Sequence, residues 1–343
     1  MGLEYIYVAR HGFRSNWLVD PSSGTYTSYL RTPTNIPADP ALTAHGVDQA
    51  KQLGARLLSV ANPPIQRVYS SLYYRCLQTV EPFLRQSPQL KVKGETGIGE
   101  WYGSAHFEHP VPASLSTLDL LFPDMLDLGY KPYVTPTKMG ESVEELHDRV
   151  AEAMEHLIAE CDKDGVKAVL LCSHAATIIA LGRVLTGRMP ENIEEEDFRA
   201  FTCGLSSYKR RQMTAGTGAE TDKTGGQPGR KDVSAAAGHS SNNNANADLD
   251  SGSGESGESS NLLRVNWRGG RGVRGGWDCE LNSDCAHLEL GEERGWRFSG
   301  DESFKDGPQA GQGILDAGTE LGVVVEGKNK GKRSVSPSSR GKL

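Results

Sequence analysis

Over residues 1 to 211, short apolar runs rich in β-branched and aromatic residues alternate with stretches whose apolar residues recur at helical spacing, and this alternation constrains the fold most. "EYIYVA", "IQRVYSS" and "LKVKGE" read as strands, "KAVLLCS" as a buried strand and "CGLSSYKRRQ" as a last one. Between them, "LTAHGVDQAKQLGARLLSV" sets Val47, Ala50, Leu53, Leu57 and Leu58 at helical spacing behind Thr43, an N-cap candidate. "LYYRCLQTVEPFLRQ" reads as a helix despite Pro82, and "ESVEELHDRVAEAMEHLIAEC" puts Val143, Leu146, Val150, Leu157 and Ile158 on one face. "AATIIALGRVLTG" is a helix closed by Gly187. Residues 95 to 140 are irregular apart from a short helix at "ASLSTLDLLFP", and so long a connection inside a compact domain is usually functional. The pattern predicts an α/β domain over residues 1–211, three layers deep, with helices on both faces of a mainly parallel sheet.

From Gln212 the chain turns to Gly, Ser, Asn and charge, too little apolar surface to offset the entropy of ordering. Residues 212–261 are expected to be a disordered linker and 262–343 a mostly disordered tail. In that tail "WRGGRGVRGGW" reads as a flexible charged linker, with RNA binding as the alternative, since arginines between glycines can pair with phosphates beside stacking aromatics. "HLELGEERGWRFSGDESF", residues 287–304, is an apolar and aromatic island and a candidate partner-docking segment. "GKNKGKRSVSPSSRGKL" reads as a nuclear signal or a polar tail.

A formal net charge of -7 argues against wrapping duplex nucleic acid, and direct nucleic-acid binding is not expected. No apolar run has the length to span a bilayer, and "MGLEYIYVARHG" lacks the zones of a signal peptide, so the expected location is intracellular, cytoplasmic or nuclear, away from membranes. The 6 cysteines include no C-x2-C pair, and buried thiols are the expectation for Cys76, Cys161, Cys172 and Cys203.

Ligands of open α/β sheets bind at the carboxyl ends of strands. Three strand ends here carry unusual residues: Arg10-His11, Ser71 followed by Arg75, and Ser173-His174. The chemistry that suits them is phosphoryl transfer through a covalent histidine. An imidazole attacks phosphorus only when unprotonated, and nearby arginines disfavour its second charge. The same guanidiniums hold phosphate oxygens through paired hydrogen bonds and stabilise charge in the transition state. No metal or other cofactor enters this scheme. Glu100, beside Trp101, is the candidate proton donor, on the expectation that an apolar neighbour raises its pKa; Glu95, Glu108 and Glu141 compete for the role. His45, His106, His109, His147 and His156 lack a second metal ligand at useful spacing and are read as surface or structural.

With these residues in hand, the first 211 or so residues resemble the histidine phosphatase superfamily, with its phosphoglycerate mutase-like fold. "ARHGFR" is similar to the RHG signature, "SSLYYRCLQTV" to the S-x-x-x-R-x-x-Q-T helix and "LLCSHAATI" to the second-histidine strand. The resemblance implies a phosphomonoester hydrolase with His11 as nucleophile, Arg10, Arg14, Arg75 and His174 as the phosphate pocket, and Glu100 as proton donor. Ala175 stands where the family often has glycine, and Arg14 resembles the branch that uses an extra arginine. "YIYVARHGFRSNW" taken whole, with "GIGEWYG", resembles the branch containing the phosphatase-like tau subunit of fungal TFIIIC, the RNA polymerase III factor. That resemblance implies a TFIIIC partner docked through the C-terminal tail, either beside catalysis or as a non-catalytic scaffold that uses the phosphatase fold for assembly.

Overall fold

The computed structural model describes residues 2–212, 265–298 and 323–325. Strand β1 (Tyr5–Arg10) is central; it pairs in parallel with β6 (Ala168–Ser173), which pairs in parallel with β4 (Arg67–Ser70), and β4 with β5 (Val92–Gly94). On the other side β7 (Leu205–Arg210) runs antiparallel to β1, and β8 (Trp277–Asp284) antiparallel to β7. The order is therefore β5-β4-β6-β1-β7-β8, the mainly parallel sheet expected. Buried-type strands such as "AVLLCS", every residue of which is buried, suit a sheet covered on both faces.

Helices α1 (Ala44–Val60) and α2 (Tyr74–Arg85) pack in one hydrophobic cluster, α4 (Val143–Asp164) and α5 (Ala175–Thr186) in another. The caps follow from sequence: Thr43 accepts from the Gly46 amide, Ser142 and Glu145 form a reciprocal capping box, and Gly187 takes the left-handed conformation that ends α5. The short α3 (Leu115–Leu121) interrupts the irregular segment. Strands β2 (Trp17–Asp20) and β3 (Thr25–Ser28) form a hairpin that the sequence analysis does not assign, and β9 (Val323–Val325) pairs in parallel with β2.

The tail departs from expectation. Residues 265–298 are part of the domain rather than a disordered extension, because their large apolar side chains have somewhere to go. Trp267 and Trp277 are fully buried, and Val273, Trp296 and Phe298 join the same cluster as α4 and α5. The glycines of "WRGGRGVRGGW" serve backbone shape rather than a flexible linker: at Gly272, φ is +67° and a Cβ would stand 2.2 Å from the Leu185 carbonyl. Residues 287–298 likewise lie on this domain. The linker at 213–261, the remainder of the docking segment at 299–304 and the terminal basic run lie outside the described residues. No helix among the described residues is long and apolar enough to cross a membrane.

Candidate active site

The parallel strands deliver the residues to one edge of the sheet. β1 ends at Arg10, and the next amide, that of His11, donates to the Ser173 carbonyl at 3.0 Å, so the first and second histidines are held side by side. Their rings lie 5.4 Å apart between centroids. Gly12 permits this turn to sit on α1: a Cβ there would be 2.8 Å from the Gly46 carbonyl. His174 is the N-cap of α5, so the positive end of that helix faces the same place.

His11 is buried, and its Nδ1 donates to its neighbour, the Gly12 carbonyl, at 2.9 Å. That bond fixes the tautomer and leaves Nε2 with its lone pair. Burial first, then Arg75, Arg10, Arg14 and His174, hold the His11 pKa well below the usual range, so the ring is neutral.

Three arginines stand around it. Arg10 Nη1 donates to the carbonyls of Ala200, at 2.6 Å, and Arg294. Arg14 lies over the Trp17 ring at 3.9 Å and Arg75 over Tyr73 at 4.5 Å. Arg75 Nη1 is anchored on the Ala38 carbonyl at 3.0 Å and near Asp39 at 3.4 Å, both side chains being fully buried. The buried Nε atoms of Arg14 and Arg75 have no hydrogen-bond partner among the described residues, donors that an anion can satisfy.

Glu100 joins the group but in the opposite electrostatic sense to that expected. Its Oε2 accepts from Arg75 Nη2 at 2.8 Å and lies 3.1 Å from His174 Nδ1. Burial alone would raise its pKa; His174, Arg75 and Arg14 outweigh burial and hold it well below the carboxylate range. The Trp101 ring makes its aromatic contacts on the side of the late segment. It packs on Trp296 and Phe298, while the Trp101 backbone amide donates to Glu100 Oε1 at 3.2 Å. At His174 burial opposes a charge, whereas Cys76 and Glu100 raise the pKa above the ordinary value; Nε2 sits 2.8 Å from Ser71 Oγ.

The competing carboxylates are engaged elsewhere. Glu95 accepts from Gly97 and from the Tyr130 hydroxyl, Glu108 pairs with Lys138, and Glu141 with Arg149 at 2.9 Å. Beside Glu100 opens a cleft of about 100 Å³, lined by Ser71, Tyr73, Tyr102, Pro110, Lys138 and Glu141 among others, so the irregular segment walls a cleft next to that carboxylate. His11, Glu100 and His174 bring one ligand atom each within 4.8 Å of one another, a spacing a divalent ion could use. The three surrounding guanidiniums make the field suit an anion instead. Of the histidines read as structural, His109 lies between Tyr26 and the Gly103 carbonyl and His147 on the Val143 carbonyl, but His45 meets Glu293 at 2.5 Å.

Sequence reading missed Asp39, Trp17 and Tyr73 as supports of the arginines, and placed Glu293 and Arg294 in a docking segment rather than beside the site. The one signal for the last two was that Trp267, Trp277 and Trp296 make three of the chain's 5 tryptophans, a poor fit to a disordered tail.

The model of the histidine phosphatase superfamily (branch 1) matches residues 6–215. The chain is 37% identical over 229 residues to the transcription factor tau 55 kDa subunit of Saccharomyces cerevisiae, covering 65% of this chain and 51% of that protein. It is 29% identical over 216 residues to the ecdysteroid-phosphate phosphatase of Drosophila melanogaster, covering 55% of this chain and 28% of the other. A crystal structure of the Bombix mori ecdysone phosphate phosphatase in complex with tungstate has 22% identity and a TM-score of 0.47, covering 63% of this chain and 97% of that one. The chain thus spans about half or less of the length of these curated relatives.

Proposed function

We propose that this chain, which belongs to the histidine phosphatase superfamily, hydrolyses phosphomonoesters through a phosphohistidine formed on His11. One observation carries the reading: a buried, neutral imidazole with Nδ1 committed to Gly12 and Nε2 left as nucleophile, inside a ring of arginines.

In the first step His11 Nε2 attacks phosphorus, the N–P bond forms and the P–O bond to the leaving group breaks in line. Arg10, Arg14, Arg75 and His174 hold the phosphoryl oxygens, and their fixed charges stabilise the transition state without reorganising. Glu100 rests ionised. The incoming phosphate, entering as a monoanion, draws on Arg75 and His174, which raises the carboxyl pKa; the carboxylate takes the substrate's proton and passes it to the leaving alkoxide. Water then attacks phosphorus, the N–P bond breaks, and Glu100 takes the water's proton. In the test, His11→Ala is assayed for phosphate release from an aryl phosphate beside a thermal melt. Loss of release with an unchanged melt supports the reading, and equal release overturns it.

The 37% identity to the yeast tau subunit favours a second reading, a nuclear role within a TFIIIC-type transcription factor, with or without catalysis. Residues 287–298 are buried in part against their own domain, so this reading looks to other surfaces for docking. Affinity purification from the native source tests it: recovery of other transcription-factor subunits supports it, and their absence counts against it.

A further inference from the structure

Two consecutive residues near the end of the described chain grip the loop that carries the nucleophile. The Arg294 carbonyl accepts from Arg10 Nη1. The Arg294 side chain reaches in the other direction, its Nη1 donating to the Arg14 carbonyl at 2.9 Å and to Asn16 Oδ1 at 3.2 Å. Its guanidinium lies 3.7 Å over the Phe13 ring. Glu293 Oε2 accepts from His45 Nε2 at 2.5 Å and from Gln49 Nε2 at 2.7 Å, and Gln49 Oε1 in turn accepts from the Phe13 amide at 2.9 Å. Arg10 and Arg14, on either side of His11 and Gly12, are therefore tied to Arg294, and Phe13 to Arg294 directly and to Glu293 through Gln49.

The backbone records a cost for this. Arg294 has φ +48°, a left-handed conformation that a non-glycine side chain disfavours and that persists where the surroundings over-determine it. That conformation aims the carbonyl at one phosphate-binding arginine and the side chain at the loop of another. Two and four residues on, Trp296 and Phe298 pack against Trp101, next in sequence to Glu100.

From these contacts we infer that residues 293–298 form an in-chain strap that pre-organises the phosphate pocket, with Arg294 the positioning residue for Arg10 and Arg14. The inference rests on the phosphatase reading for the identity of the anion. A guanidinium with one nitrogen held by two carbonyls presents its remaining donors in a fixed direction, and a fixed donor stabilises an anion more than one that must first be ordered. Arg294 touches neither phosphate nor nucleophile in this account.

The test uses the full chain. Arg294→Ala is expected to raise KM for an aryl phosphate about tenfold, with kcat within about threefold, and to weaken binding of orthovanadate, measured by calorimetry, by a similar factor. Arg294→Lys, which keeps a donor toward the Arg14 carbonyl, recovers part of both losses. Phe13→Leu, which removes the ring beneath the guanidinium, raises KM in the same direction. A purely structural role would reduce the fraction of active protein, lowering kcat and leaving KM and the vanadate affinity alone; that pattern, or values equal to wild type, overturns the inference. If the wild-type chain releases no phosphate, the hydrolase reading fails separately, and the vanadate comparison decides the strap by itself.

Discussion

Arg75 Nη2 and Glu100 Oε2 meet at 2.8 Å, the arginine side chain wholly buried and the glutamate nearly so. The same arginine is near Asp39 Oδ1 at 3.4 Å, which leaves one cation between two carboxylates, a balance that an arriving phosphate disturbs.

If Glu100 gives its proton to the leaving group, its loss is felt in proportion to how much the leaving group needs one. Glu100→Gln is expected to slow hydrolysis of an alkyl phosphate by roughly 10²- to 10⁴-fold, while a p-nitrophenyl ester, whose phenolate leaves readily, loses far less. Comparing the two substrates on one variant is the measurement. Equal losses on both would take the proton transfer away from Glu100.

Buried neutral histidines set how the fold responds to acid. Burial, the leading cause at both, pushes His109 and His147 down to about 4, from an ordinary value of 6.5. As pH falls from 6.5 toward 4, the unfolded chain binds protons that the folded chain does not, so stability falls. His11 adds to this in the same direction. Asp39, raised to about 6 chiefly by burial, works against it: its folded form takes up a proton first, which adds stability as pH falls from 6 toward 3.8. By pH 4.5 each of the two structural histidines is expected to have cost about 2 to 3 kcal/mol and Asp39 to have returned about 2, a net loss. Thermal melts between pH 7 and 4.5 should show a falling midpoint and a shallower fall in His109→Gln; a flat profile in the parent chain would contradict the assignment.

The late strand is expected to matter to stability as much as an early one. Trp277 is fully buried at the start of β8, its Nε1 donating to the Val273 carbonyl at 3.1 Å. Trp277→Ala should cost about 3–5 kcal/mol in urea unfolding. Gly272→Ala should also destabilise, since it meets both a positive φ and the Leu185 carbonyl. Wild-type midpoints in both variants would return residues 265–298 to the status of a loose tail.

The contrast between these regions explains what could be read from sequence. His11, Arg75 and His174 were legible because each follows a strand within a few residues, so local pattern plus the strand-end rule brings them together. Thr43 and Gly187 were legible because a helix end needs only its own few residues to declare itself. β8 and Arg294 were not, because what orders them is pairing with β7 and contact with the 10–16 loop across a long intervening segment. The glycines they need for positive φ give the composition of a linker. Glu100 was found by position, yet its charge state was misjudged: Trp101, adjacent in sequence, turns to Phe298, and the groups that set the carboxyl are Arg75 and His174.

The central claim is a covalent phosphoryl group on His11 Nε2, and rapid acid quench of the full chain mixed with an aryl phosphate, followed by peptide mapping under alkaline conditions, tests it most directly. The account predicts a phosphoryl group on the peptide holding residues 10–14, stable to base, labile to prolonged acid and missing from His11→Ala. A wild-type chain that turns over substrate while no phosphoryl group appears on that peptide, or carries it on another residue, would contradict it.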